Sequence, residues 1–579
     1  MNKNIKALHH SALTLFCVGA LFATVAMAPD RAAAQTAGDQ AAKSAKKPYN
    51  ILFIICDQEQ FKLLTAEGYS LPARERLKEK GIVFQNHYIA SAMCSPSRAA
   101  LLTGTTPQRN GVFDQMEYAY VPTLSTSIPN MGSVMKKLGY ATAYFGKYEM
   151  DKGILATKDT VNYSTALQPY GFDTFAANGD VGSRPDSGYK NDLFTAGEAV
   201  RRLRAVSLDS SKEKKPFFMV ASFLNPHDIM YANANLPGQS VQKGLAAWEL
   251  TQPPANSLYQ KDWAFNLPPS LGENLDAPGT PKALGEYRAG WSAALGEIPQ
   301  DRPDMWHLFN NYYLNLVRDS DRTVQELVAA LDETGLWKNT IVILTADHGE
   351  MGGSHGGIRG KGPFAYEENS KVPFIIVHPD YPGGTSEVLT SHLDLLPTFI
   401  GLTGLPAAQR EAAAKGLAGH DFSATLAESE RSKVHATREG VLFNYLGPST
   451  IDKDFCATCL AGGSDKSGIK LANLKPDLNK RGFLAFTCDG RYKFARYYAP
   501  DDFNTPKTID EIFQHNDVQL FDLKEDPNEM KNLAVDREAN KDLILRMNGL
   551  LNDLMAKEVG VNDGAFLPKV IRPAGVTSK

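Results

Sequence analysis

Short apolar runs rich in β-branched and aromatic residues recur along the chain, separated by stretches with helical patterning. The clearest are Ile51–Ile55, Ala141–Phe145, Phe217–Phe223, Ile341–Leu344 and Val372–Val377. Apolar runs without polar alternation are how parallel strands read when both faces of their sheet are covered. Ahead of the fourth run, Leu314, Val317, Val324, Leu327, Val328 and Leu331 recur at helical spacing, and the pattern stops near Gly335. Helix, short turn, strand is the α/β repeat. The predicted fold class is therefore α/β, with a large, mostly parallel central sheet flanked by helices.

From about residue 435 the pattern shortens and alternates, at Gly482–Thr487, Tyr492–Tyr498 and Val518–Leu523, before a helical tail at Ala539–Ala556. This predicts a smaller C-terminal α+β part with an antiparallel sheet over 435–579, after a main domain over 48–434. The Gly- and Lys-rich stretch 461–480 reads as a surface loop, and no internal repeat is present.

The residues that follow the runs are more informative than the runs. Asp57-Gln58 follows the first, Lys147 the second, His227 the third and Asp347-His348 the fourth. In open α/β sheets ligands bind at the carboxyl ends of the strands, so these side chains are expected to share one site.

Composition changes the picture in three ways. With 61 Lys and Arg against 65 Asp and Glu, a formal charge of −4, and no basic tract, nucleic acid is excluded as the expected partner. At the N-terminus, Lys3 and Lys6 precede an apolar stretch from Ala12 to Ala28 and small residues at Ala26-Met27-Ala28 and Ala32-Ala33-Ala34. That is the pattern of an export signal over 1–34, with 35–47 as a flexible lead-in, and it predicts a periplasmic or secreted protein with no stable membrane span. The alternative is an uncleaved anchor, for which the run is short. Of the six cysteines, Cys456, Cys459 and Cys488 cluster late. In an oxidising compartment they predict a disulfide, with a zinc site begun by Cys456-x-x-Cys459 as the alternative.

The stretch Cys94-Ser95-Pro96-Ser97-Arg98-Ala99-Ala100-Leu101-Leu102-Thr103-Gly104 resembles the signature of the type I sulfatases in the alkaline phosphatase superfamily. The resemblance implies an alkaline phosphatase-like sulfatase fold and oxidation of Cys94 to formylglycine by a formylglycine-generating enzyme. A thiolate attacking sulfur would leave a stable ester, whereas a hydrated aldehyde offers one hydroxyl to attack and a second to expel the product. The helix that Ser95 and Ser97 would start presents amides and a positive dipole end to an anion. The segment from Gln519 through Asp522, Asp526, Pro527 and Glu529 to Leu533 is similar to the family's C-terminal motif.

Carried over by position, the resemblance implies that Asp57, Gln58, Asp347 and His348, with the group at Cys94, hold a divalent metal. The mostly oxygen donor set suits Ca²⁺, with Mg²⁺ or Mn²⁺ possible. It implies that Arg98, Lys147 and Lys361 neutralise the sulfuryl oxygens, that Asp347 acts as base, and that His227 or Lys361 protonates the departing alcohol. Two departures stand out. Gly146-Lys147-Tyr148-Glu149 stands where the family commonly has Gly-Lys-Trp-His, so that the substrate-side contact is either absent or supplied by Glu149. Downstream, His355 falls where some relatives have a histidine, and Arg359 competes with Lys361 for one role. The expected function is hydrolysis of a small-molecule or carbohydrate sulfate monoester. The alternatives are phosphate or phosphonate monoester hydrolysis by the same site and non-catalytic binding of a sulfated glycan.

Overall fold

The computed structural model describes residues 48–156, 163–177, 184–211, 214–245, 250–461 and 475–568. The expected export segment, the lead-in and most of the loop expected over 461–480 lie outside the described residues.

The large sheet has eight strands: β1 (Asn50–Cys56), β2 (Ile82–Tyr88), β3 (Ala141–Gly146), β4 (Thr174–Ala176), β5 (Phe217–Phe223), β6 (Thr340–Ala346), β7 (Phe374–Val377) and β8 (Gly384–Ser391). Their spatial order is β4-β3-β5-β1-β6-β7-β2-β8. The helices used below are α1 (Cys94–Thr103), α2 (Ser187–Leu208), α3 (Lys282–Leu295), α4 (Pro303–Thr334), α5 (Lys453–Leu460) and α6 (Lys541–Leu554).

Strand β1 is central and wholly buried. Because side chains alternate across a strand, Ile51, Phe53 and Ile55 enter one apolar cluster with Leu395, Leu396 and Phe399, while Leu52, Ile54 and Cys56 enter another with Val324, Leu327, Val328 and Leu331 of α4. Both faces are thus covered, which is why the run carries no polar alternation. Helix α4 begins with a proline in its first turn and ends at Gly335, whose left-handed φ of 66° closes the last turn.

One run departs from expectation. Strand β7 runs antiparallel to both β6 and β2, although its apolar run reads as another parallel strand. Residues 347–373 leave the carboxyl end of β6 and return to the sheet at that same end, so no crossover carries the chain back and the next strand must run the other way.

The second sheet is four-stranded and antiparallel, in the order β12-β11-β10-β9, from β9 (Val441–Tyr445), β10 (Phe483–Cys488), β11 (Tyr492–Tyr498) and β12 (Asp517–Asp522). Ile544, Met547 and Leu551 of α6 share an apolar cluster with Phe483 of β10 and Phe494 of β11. Two buried ionic links tie this part to the large sheet. Lys493 Nζ meets Glu529 Oε1 at 2.7 Å, and Glu529 Oε2 accepts from Glu367 N at 2.7 Å. Arg438 joins Asp394 at 2.7 Å to Glu558 at 3.2 Å.

The expected disulfide is absent: all five cysteines among the described residues are free and buried. Cys456 lies in the helix α5, packed against Gly290 of α3, whereas Cys488 ends β10 with its sulfur 3.6 Å from the Tyr88 hydroxyl. The two belong to separate apolar clusters, so proximity in sequence does not become proximity of sulfurs. Among the described residues no helix is long and apolar enough to cross a membrane.

Candidate active site

Neighbouring strands β3, β5, β1 and β6 are mutually parallel, so their carboxyl ends lie side by side. Lys147 follows β3, His227 closes the turn after β5, Asp57-Gln58 follows β1 and Asp347-His348 follows β6. Close backbone approach makes this edge compact. Gly146 has φ 93°, and a Cβ there would stand 2.0 Å from the Ser222 carbonyl oxygen, so only glycine lets β3 hand on Lys147 at this point.

Helix α1 lies against the same edge with all ten residues buried. Its Arg98 guanidinium gathers the four strand ends: Nε donates to Asp347 Oδ2 at 2.9 Å, Nη2 to Asp57 Oδ2 at 2.9 Å, and Nη1 to the Lys147 carbonyl at 2.9 Å and Ser222 Oγ at 2.8 Å. Ser97 Oγ donates to the Asp347 carbonyl, which docks the helix on β6. Cys94 opens the helix, fully buried, with Sγ 3.2 Å from His348 Nε2 and 3.9 Å from Asp57 Oδ1.

The electrostatics follow from burial and pairing. Lys147 Nζ stands 2.6 Å from Asp57 Oδ2 and 3.0 Å from Glu149 Oε2. Burial opposes the Asp57 charge, but Lys147, then His227 and Arg98, hold its carboxyl well below the usual carboxylate range. Burial, and next Asp57, push the Cys94 thiol up, so the unmodified side chain is a neutral thiol.

Lys361 Nζ donates to Gln58 Oε1 at 2.5 Å, and Gln58 Nε2 donates to Glu350 Oε2 at 2.5 Å. The Gln58 amide oxygen is thereby engaged with an ammonium. Glu350 Oε1 also accepts from Gly352 N at 2.9 Å and Gly360 N at 2.7 Å, folding the loop that brings Lys361 in. Arg359, the competing residue, instead reaches the Gly296 carbonyl. His355 is placed elsewhere: it stacks on Tyr366 at 3.4 Å, with Nδ1 2.9 Å from Glu273 Oε2 and Nε2 3.7 Å from Glu368 Oε2, and none of these belongs to the Cys94 cluster.

His227 is held by a reciprocal pair of carboxylates. Asp192 on α2 accepts from Leu224 N at 2.7 Å and Asn225 N at 2.8 Å, while Asp228 accepts from Gly188 N at 3.1 Å and Tyr189 N at 3.0 Å at the start of α2. The imidazole is 1% exposed, and neither ring nitrogen has a hydrogen-bond partner among the described residues. Burial, then Lys361 and Lys147, hold it well below the usual histidine range, hence neutral.

Sequence reasoning missed Ser222, Glu350 and the Asp192–Asp228 pair. Glu350, three residues past Asp347, carried a usable signal. Ser222 and Asp192 carried none, because each matters only through a backbone or side chain remote in sequence.

Among the described residues one group of His, Cys, Asp and Glu side chains is disposed to hold a metal ion: Asp57, Cys94, Asp347 and His348, all buried, with ligand atoms within 4.8 Å of one another. Among the described residues Asp57 Oδ1 has only the Cys94 thiol as hydrogen-bond donor, at 3.9 Å. A buried carboxylate oxygen so weakly satisfied beside an imidazole fits a cation. Cys456-x-x-Cys459 is in no such group, so the zinc alternative has no support among the described residues.

Known proteins agree with this architecture. A delta 4,5-hexuronate-2-O-sulfatase of Bacteroides thetaiotaomicron is 25% identical over 525 residues, covering 89% of this chain and 90% of its own. A solved 2-O GAG sulfatase superposes with a TM-score of 0.61 at 22% identity, over 89% of this chain and 93% of its own. The phosphonate monoester hydrolase of Agrobacterium radiobacter shares the fold with a TM-score of 0.58 at 20% identity, over 88% and 96%. The family model described as Sulfatase matches residues 49–405, a span that runs from β1 past β8 and contains every side chain of the Cys94 cluster, and on that match the chain belongs to the sulfatase family.

Proposed function

We propose that this protein hydrolyses sulfate monoesters at the Cys94 cluster, after oxidation of Cys94 to formylglycine. The observation that carries the reading is the placement of Cys94, within Cys94-x-Pro96-x-Arg98, at the buried start of α1 and 3.2 Å from His348 Nε2. Formylglycine would supply a hydrated aldehyde with one hydroxyl to attack sulfur and a second to release the product. A divalent ion, Ca²⁺ in this reading with Mg²⁺ or Mn²⁺ as alternatives, would be held by Asp57, Asp347, His348 and position 94, and would polarise the sulfuryl group.

The chain's own residues divide the remaining work. Arg98, fully engaged with Asp57, Asp347, Lys147 and Ser222, orients both carboxylates and is a positioning residue more than a direct sulfate contact. Lys147 and Lys361 bring fixed positive charge to the sulfuryl oxygens in a water-poor site, where such charge acts most strongly. Asp347 accepts from Gln58 N, His348 N and Arg98, and Asp57 Oδ1 lies 3.9 Å from the side chain at position 94. We keep Asp347 as the base, because Asp57 Oδ1 is the oxygen left for the ion. Lys361 donates the proton to the departing oxygen, with neutral His227 as a hydrogen-bonding partner.

Phosphate or phosphonate monoester hydrolysis is the second reading, favoured by Asp57-Gln58 and Asp347-His348. Export to the periplasm or beyond goes with the N-terminal pattern and with maturation by a formylglycine-generating enzyme. Peptide mass spectrometry of active enzyme tests the nucleophile, and side-by-side rates on 4-nitrophenyl sulfate and 4-nitrophenyl phosphate test the ester. Fully active protein with intact Cys94 would overturn the first, and a faster phosphate reaction the second.

A further inference from the structure

One charged side chain beside the cluster has no part in the chemistry above. Glu117 lies on the segment after α1, and that segment is pinned on two sides. Toward α1, Ser95 N donates to Gln115 Oε1 at 3.0 Å and Met116 N to Ser95 Oγ at 3.1 Å. Toward the smaller sheet, Asp114 accepts from Ser449 N at 2.9 Å and from Ser449 Oγ and the Tyr120 hydroxyl at 2.8 Å. Residue 117 is thus held next to the first turn of α1.

The Glu117 carboxyl hydrogen-bonds Glu149, and Glu149 pairs with Lys147 Nζ at 3.0 Å. Glu149 is buried with the rest of the cluster, whereas Glu117 is exposed, so it is the solvent-side end of the row that runs through Glu149 to Lys147. At the inner end of that row, His227 has Lys361, Lys147 and Asp57 as charged neighbours, and its two buried ring nitrogens have no partner among the described residues, which points to a ligand in the cluster.

We propose that Glu117, backed by Glu149, determines which organic half is accepted, favouring an ester that carries an ammonium group close to the sulfate and disfavouring one that carries a carboxylate there. This rests on the reading of the Cys94 cluster as a sulfate-ester site. Two carboxyls in hydrogen-bonding contact hold one proton between them and keep one negative charge. A ligand ammonium satisfies that charge, and a ligand carboxylate repels it, so selection works by attraction and exclusion together.

Three esters of equal length test this: 2-aminoethyl sulfate, 2-hydroxyethyl sulfate and carboxymethyl sulfate, with binding to the full-length protein measured by calorimetry. The amino ester is expected to bind about tenfold more tightly than the hydroxyl ester and the carboxylate ester more weakly than either. Glu117→Gln should reduce the amino-to-carboxylate ratio by about tenfold, with Glu117→Asp retaining part of it, while an unchanged melting temperature shows that the fold is intact. Equal binding of the three esters, no binding of any, or a ratio unmoved by Glu117→Gln would overturn the proposal. Turnover of 4-nitrophenyl sulfate is read separately, so its loss tests the catalytic reading and not the choice of organic half.

Discussion

Lys361 and Arg359 are two residues apart, yet their side chains diverge: one reaches Gln58 and the other the Gly296 carbonyl. An ammonium can give up a proton to a leaving oxygen, and a guanidinium cannot in this range. Lys361→Ala is therefore expected to lower kcat by about 10²-fold or more on alkyl sulfates and much less on aryl sulfates with acidic leaving groups. Arg359→Ala should act mainly on stability, through the carbonyl it leaves unpaired. Steady-state kinetics across a leaving-group series checks this, and a leaving-group-dependent loss in Arg359→Ala alone would reverse the assignment. His355 gives a prediction in pH. Burial opposes its charge, but the hydrogen bond to Glu273 and the nearby charge of Glu368 outweigh burial and raise it to about 9. A raised folded-state value means stability fully present below the unfolded value near 6.5 and lost as pH rises through about 9. The melting temperature of wild type over His355→Gln should exceed zero at pH 6 and shrink toward zero above pH 9. A gap that widens with pH would contradict the pairing.

At the scale of elements, the site depends on how α2 and the end of β5 hold each other. Asp192→Ala leaves the amides of Leu224 and Asn225 without acceptors, which costs about 1–3 kcal/mol and releases the turn that aims His227. The expected result is a modest fall in melting temperature with a larger fall in kcat than in substrate affinity, and Asp192→Asn should recover part of both. Thermal melts and the separate kcat and KM values decide it. If kcat follows stability alone and the Asn variant rescues nothing, the clamp is only structural. Strand β7 teaches a related lesson. Its apolar run correctly marks a buried strand, but strand direction is set by where residues 347–373 begin and end, which no local pattern records.

For the whole molecule, the two sheets are expected to be inseparable. Met93 and Ala346, beside Cys94 and Asp347, share an apolar cluster with Phe443, Leu484, Phe486 and Tyr497 of the smaller sheet. A chain ending at residue 434 would expose that cluster and leave Asp394 buried without Arg438, a loss of about 3–5 kcal/mol from the ion pair alone. It should be recovered insoluble or unfolded by circular dichroism; a folded, active 48–434 fragment would show the smaller part to be dispensable. Metal binding is a whole-molecule property too, because an ion that binds only the folded state stabilises it. Exhaustive chelation should abolish turnover and lower the melting temperature, and both should return on adding Ca²⁺. Full activity after verified removal of the ion would end its catalytic role.

The amino-acid sequence by itself determined five of the eight strands of the large sheet but not β2, β4 or β8, together with the α4 stop at Gly335 and the gathering of Asp57, Lys147, His227 and Asp347 at one sheet edge. Those features are local: apolar runs, helical spacing and the residue after each run follow from short stretches of chain, and parallel pairing then brings their ends together. The tertiary structure alone decided that Arg98 is tied to four strand ends, that Gln58 faces Lys361, that His355 belongs with Glu273 and Tyr366, and that Cys456 and Cys488 never meet. Each of these depends on which of several partners, far apart in sequence, is within about 3 Å. Hydrogen bonds and sulfur pairs act over that range, whereas hydrophobic patterning is blind to it. Glu117 shows the difference most sharply: in the sequence it is one acidic residue in a polar stretch, and only the pinning of its segment against Ser95 sets it beside Glu149.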